Sequence, residues 1–209
     1  MRHTGYQSMR DREAKPGRPS RRPQIIAATE ALLQTRGLAS VTTRAIAERV
    51  GCSEGAIYVH FEGRLQLLLA VLEESLPDML IPLRGLEQAI GKATPQQNLG
   101  KALRAIYSFH ERVIPMIASL FADPELLTSY RKLLIDRNKG PHGAIRRLQQ
   151  YISAEQELNR VPGNVDPETA ATVLMSSSFF QAFMVQFFAE PKPSDAAFKK
   201  VVGAAVGKG

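Results

Sequence analysis

The sequence predicts an all-α chain, and three observations carry that expectation. Apolar residues recur at helical spacing along most of its length, and strand-type alternation is rare. Trp is absent. Helix-start signals punctuate the chain: Thr94-Pro95, Asp123-Pro124-Glu125 and Asp166-Pro167-Glu168 each set an N-cap residue before a proline at the first helical position. The expected organisation is a basic arm (residues 1–21), a three-helix head (22–64) and a larger helical body (65–209), joined by a fourth helix.

Each element has a local reason. Residues 1–22 are polar and basic, hold Gly5, Pro16, Gly17 and Pro19, and lack the apolar surface needed to order themselves. Helix 1, about 22–36, buries Ile25, Ala28 and Leu32, with Ile26 and Leu33 widening the stripe, and stops at Gly37. Helix 2 is capped by Thr42 or Thr43, turns Ile46, Ala47 and Val50 inward, and closes at Gly51. Helix 3 is short, capped by Ser53, with Ala56 and Ile57 toward the core. Helix 4 begins near Gly63, buries Leu65, Leu68, Leu69, Leu72 and Leu76, and is expected to end at Pro77. Further helices follow at about 96–112, at 125–158 with a break at Gly140-Pro141, at 167–189 and at 195–206.

Composition narrows the function classes. The 209 residues carry 27 basic and 20 acidic side chains, a net charge of +7. Residues 1–63 hold ten basic and six acidic residues, so the positive excess lies near the N-terminus. Such a balance suits a polyanionic partner or simply solubility. The single cysteine, Cys52, excludes an internal disulfide and a multi-cysteine zinc site, and reads as an inert, buried thiol. The four histidines (His3, His60, His110, His142) lack metal-ligand spacing. Gly203-Ala204-Ala205-Val206-Gly207-Lys208-Gly209 falls one residue short of a phosphate loop and lacks its Ser/Thr. No catalytic constellation, metal site or cofactor is expected. No apolar run reaches the length of a membrane span, and no signal peptide is evident, so a cytoplasmic protein without a membrane partner is the expectation.

Residues 43–64 read as helix, tight turn, helix, with a polar cap and an aromatic anchor. A helix-turn-helix sets its second helix in the DNA major groove. Over residues 41–69 the pattern Val41-Thr42-Thr43-Arg44-x-Ile46-Ala47-x-x-x-Gly51-Cys52-Ser53-x-Gly55-x-Ile57-Tyr58-x-His60-Phe61-x-x-Arg64-x-x-Leu67 resembles the DNA-binding domain of the tetracycline-repressor (TetR) family. The resemblance implies three helices in the DNA head, and a helical body with a ligand pocket and a dimer interface, in which the ligand spreads the heads and releases DNA.

The resemblance assigns phosphate contacts to Thr42, Thr43, Tyr58 and His60, and to Arg64, which stands where the family usually has Lys. A hydroxyl at a helix N-terminus suits an anionic oxygen, yet simple capping explains the threonines equally. Arg44 resembles a base-contacting position and can grip guanine O6 and N7; its other reading is phosphate contact or a solvated face. Ser53, Glu54, Gly55 and Ala56 open the recognition helix. Glu54 either accepts from cytosine N4 or only favours the helix dipole. Gly55 and Ala56 permit close approach. Phe61 reads as core. Arg18, Arg21 and Arg22 of the arm are candidates for the minor groove.

In the body, 170–189 is apolar on nearly every side. The resemblance implies a homodimer through the helices at about 167–189 and 195–206. Candidate pocket residues are Tyr107, Phe109, His110, Met116, Phe121, Met175, Phe179 and Phe183, whose chemistry suits a small hydrophobic or aromatic ligand; core packing is the other reading. The expected function is a sequence-specific regulator of transcription, a repressor released from a palindromic operator by that ligand. The alternative is a helical, dimeric interaction or ligand-binding protein that does not bind operators.

Overall fold

The computed structural model describes residues 20–136, 140 and 142–207, without the side chains of 75–78 and 119. Their elements are all helical: α1 (Arg22–Arg36), a 3-10 turn (Leu38–Ser40), α2 (Thr43–Val50), α3 (Glu54–Tyr58), α4 (Arg64–Ala89), α5 (Pro95–Leu120), α6 (Pro124–Asp136), α7 (His142–Glu157), α8 (Pro167–Phe188) and α9 (Asp195–Val206).

Five predicted helix starts carry the expected cap bond, whereas Ser53, expected to cap α3, makes no side-chain cap bond. Thr42, Thr94, Asp123, Asp166 and Ser194 each accept from the backbone N–H three residues on, at 2.7–3.3 Å. Hydrogen bonding by the Thr169 side chain, and next by its N–H, holds the Asp166 carboxyl below its usual range. Gly37 and Gly51 end α1 and α2 at positive φ (73° and 69°), where a side chain would be strained.

Two helices outrun the sequence reading. The fourth was expected to stop at Pro77 but continues to Ala89, and the fifth, expected over 96–112, reaches Leu120 across Pro115. A proline inside a helix costs roughly 3 kcal/mol. Tertiary burial opposes that cost: Met79, Leu83 and Leu86 of α4, and Met116 and Leu120 of α5, are all buried.

Two apolar clusters organise the chain. One packs α1–α3 around Ile25, Ile26, Leu33, Ile46, Ile57 and Phe61, and extends to Leu67–Leu72 of α4, to Val113, Met116 and Leu120 of α5 and to Tyr130 of α6. The other fills the body between α4, α5, α7, α8 and α9, with Leu83, Leu99, Leu103, Tyr151, Leu174 and Val202. Along α4, the described side chains from Leu67 to Leu72 join the first cluster and Met79, Leu83 and Leu86 join the second. Glu30 on α1 and Arg112 on α5 also tie head to body through paired bonds of 2.8 and 3.0 Å.

Contrary to the expectation from the sequence, α8 is long and apolar enough to cross a membrane by length and composition. In the fold it packs against α5, α7 and α9, burying Ala170, Ala171, Leu174, Met175, Ser178 and Ala182. The apolar opposite face, with Phe180 and Phe187, is exposed.

Candidate nucleic-acid interface

The head presents one polar face, made by the start of α2 and the whole of α3. Gly51 turns the chain in the left-handed conformation, so the two helices meet as a helix-turn-helix. Buried Ile46, Ala47, Ile57 and Phe61 fix that arrangement from below. Above them, Thr42, Arg44, Ser53, Glu54, Gly55 and Tyr58 are exposed, while Thr43, Ala56 and His60 are partly covered.

The side chains differ in what they already hold. Thr42 Oγ1 accepts from Ala45 N, and its own O–H remains to donate. Thr43 Oγ1 donates to Glu54 Oε2, joining the first residues of α2 and α3. Arg44 Nε donates to Glu48 Oε1 at 3.0 Å, but with Arg44 80% exposed this pair is weakly held and readily exchanged. Ser53 stands at the N-cap of α3 without a side-chain cap bond. A Cβ on Gly55 would meet nothing closer than Ser53 Oγ at 4.0 Å. His60 lies edge-on to Phe61 at 6.5 Å.

The basic residues of the predicted arm fall into two groups. Arg18 lies outside the described residues. Arg21 donates to Gly51 O at 3.0 Å, and Arg22 lies 5.4 Å from the Phe61 ring centre, so both rest on the head itself. Arg64 is also engaged within the chain. It donates to Leu38 O and sits 3.9 Å from Asp123 Oδ2, linking the 3-10 turn to the cap of α6. Sequence spacing could suggest Arg44–Glu48, an i,i+4 pair. The Thr43–Glu54, Arg64–Leu38 and Glu30–Arg112 contacts depend on tertiary approach and leave no local signal.

The chain over residues 25–71 matches the family model for bacterial regulatory proteins of the tetR family. The match is to the head, so the head is similar to that family's DNA-binding domain. The matched span takes in most of α1, then α2, α3 and the start of α4, and so the helix-turn-helix described above. Among curated relatives, the HTH-type transcriptional activator FasR of Mycolicibacterium smegmatis is 33% identical over 95 residues, 45% of this chain and 42% of FasR. The HTH-type transcriptional regulator TtgR of Pseudomonas putida is 40% identical over 62 residues, 30% of each chain. The chain thus spans less than half the length of these relatives. The fold of the whole resembles FadR from Bacillus subtilis, solved with stearoyl-CoA, at a TM-score of 0.65 and 18% identity, covering 90% of this chain and 100% of that one.

The eight predicted pocket residues do not converge on one place. Tyr107, His110 and Met175 are buried, and Phe109 and Phe183 pack partly covered against the body core. His110 Nδ1 meets Ser178 Oγ at 3.0 Å, with Phe179 edge-on at 5.5 Å. Burial lowers the His110 pKa to about 4. Tyr107 packs on Phe198 at 5.6 Å, and burial with Glu111 nearby raises its pKa to about 12. Met116 instead belongs to the cluster that continues from the head, and Phe121 is exposed just beyond the end of α5.

Proposed function

We propose that this protein is a homodimeric, sequence-specific DNA-binding regulator of transcription in the cytoplasm, and that a small hydrophobic or aromatic effector in its helical body lowers its affinity for a palindromic operator. One observation carries the reading: the family's recognition helix is intact, with Glu54, Gly55 and Tyr58 exposed above a packed core. Thr42, Thr43, Arg44, Ser53, Ala56 and His60 surround them, and the remaining candidates act at the margin: Arg21, Arg22 and Arg64 through the head, Arg18 through the arm.

The dimer reading is supported by α8. Phe180 and Phe187 are 60% and 69% exposed on its outer face, an apolar surface that a second copy would cover together with α9. Twofold pairing suits two half-sites one DNA turn apart. For the effector, the His110–Ser178 pair offers a polar handle among Tyr107, Phe109, Met175, Phe179 and Phe183. Met116 and Phe121 have the weakest support as lining. The shared fold with FadR, solved with stearoyl-CoA, is compatible with an apolar ligand. FasR is an activator by name, so repression is the part of the proposal that rests on the family's usual behaviour.

The test is selection and sequencing of duplexes bound by the full-length protein from a random pool at near-physiological salt. A palindromic motif is the expected result. Binding without enrichment, vanishing as salt rises, would leave only phosphate attraction and favour a helical interaction protein.

A further inference from the structure

The Thr43–Glu54 bond joins two helices at the face proposed to meet DNA. The residues are eleven positions apart, and only the left-handed turn at Gly51 brings them together. A threonine hydroxyl has one proton to give. Thr43 gives it to Glu54, so its side chain has none left for a phosphate oxygen. Thr42 receives its bond from Ala45 and keeps its proton. The two threonines therefore have different tasks: Thr42 is free to hold the DNA backbone, while Thr43 holds a neighbour.

That neighbour is a carboxylate placed where negative charge is costly. Beside phosphates Glu54 is repelled, so its presence on this face favours selection of sequence over gain of affinity. Thr43 engages Oε2, and Glu54 is an exposed residue whose second oxygen, Oε1, can also accept. A carboxylate oxygen can only accept. In the major groove the donors are the amino groups of cytosine N4 and adenine N6, whereas guanine N7 and O6 and thymine O4 are acceptors. The adenine amino group lies between two acceptors, its own N7 and the paired thymine O4. Cytosine N4 has one, the paired guanine O6, and a C–H on its other side. The carboxylate meets less repulsion there.

We infer that Glu54 is a specificity-determining residue that reads a cytosine amino group in each half-site, and that Thr43 is its positioning residue. The inference rests on the DNA-binding reading above. It assigns Thr43 a side-chain role other than the phosphate contact suggested by resemblance.

The experiment is parallel selection of duplexes by the full-length wild type, Glu54→Ala, Thr43→Val and Thr43→Ser, with salt titrations on the wild-type motif. The wild type should prefer cytosine at one position per half-site by roughly 5- to 100-fold over other bases. Glu54→Ala should level that position and leave the rest of the motif intact. Thr43→Val should reduce the preference there several-fold, and Thr43→Ser, which keeps the hydroxyl, should retain it. Thr43→Val weakening all sequences alike, with a shallower salt slope, would return Thr43 to phosphate contact and overturn the inference. So would Glu54→Ala that changes affinity uniformly with every base preference preserved. Adenine in place of cytosine at the responsive position would overturn the base assignment. If the wild type enriches no motif at all, the DNA-reading function itself fails, an outcome separate from a motif that ignores Glu54.

Discussion

Gly55 is the second residue of α3, and its backbone is ordinary helix, not the left-handed region. A methyl group there would meet no atom of the folded chain nearer than Ser53 Oγ at 4.0 Å. The folded protein alone therefore gives no reason for glycine, which costs a helix roughly 0.5–1 kcal/mol relative to alanine. Gly55→Ala should stabilise the free protein by up to about 1 kcal/mol, a rise in Tm of about 1–4 °C for a chain of this size. On the operator the added methyl would sit between α3 and the groove. Overpacking a close contact costs about 1–3 kcal/mol, so affinity should fall roughly 5- to 100-fold. Thermal melts and fluorescence anisotropy on the selected duplex measure the two effects on the same preparation. A variant with raised Tm and unchanged operator affinity would refute the close approach.

His110 should make stability depend on pH. Its folded pKa of about 4 lies below the ordinary 6.5, so the unfolded chain takes up a proton first as pH falls. Its contribution is complete above about pH 6.5 and is lost toward pH 4, by up to about 3 kcal/mol. Urea midpoints of wild type and His110→Gln should therefore converge on acidification, and a constant difference would contradict the burial argument. Glu30→Ala leaves the partly buried Arg112 without the paired bonds that join α1 to α5, and should destabilise by about 1–3 kcal/mol in denaturant melts. A change within a few tenths of a kcal/mol would make that pair a mere surface contact. Phe180→Asp with Phe187→Asp should shift light-scattering mass from dimer to monomer while preserving helical circular dichroism; an unaltered dimer would place the interface elsewhere.

The head was legible because its determinants are local. A threonine cap at 42 or 43, Gly37 and Gly51 as stops, and Ile25, Leu32 and Ile46 as inward positions follow from spacing and backbone freedom, and the fold selects Thr42 as the cap. The same holds for the caps at Thr94, Asp123, Asp166 and Ser194. Local reading stops helix 4 at Pro77 because a missing N–H is a local penalty, while burial of Met79, Leu83 and Leu86 against helices distant in sequence offsets it. Thr43 and Arg64 show the same limit for side chains. Residue type and position suggested phosphate for both, but Glu54, Leu38 O and Asp123 compete for them in the folded head. In the body, periodicity located aromatic stripes without saying which neighbour covers them. Met116 thus falls in the core continuing from the head, Phe121 in solvent, and His110 against Ser178.

Reading of DNA sequence by the α2–α3 face is open to one direct measurement. Arg44 tests it best, since its side chain is 80% exposed and its ion pair with Glu48 lies within α2 itself. Equilibrium binding of wild type and Arg44→Ala should be compared on the selected duplex and on an unrelated one, at the same salt. Arg44→Ala should lose about tenfold or more on the selected duplex and change much less on the unrelated one. Equal losses on both would reduce Arg44 to phosphate attraction, and no loss on either would contradict this face as the reader.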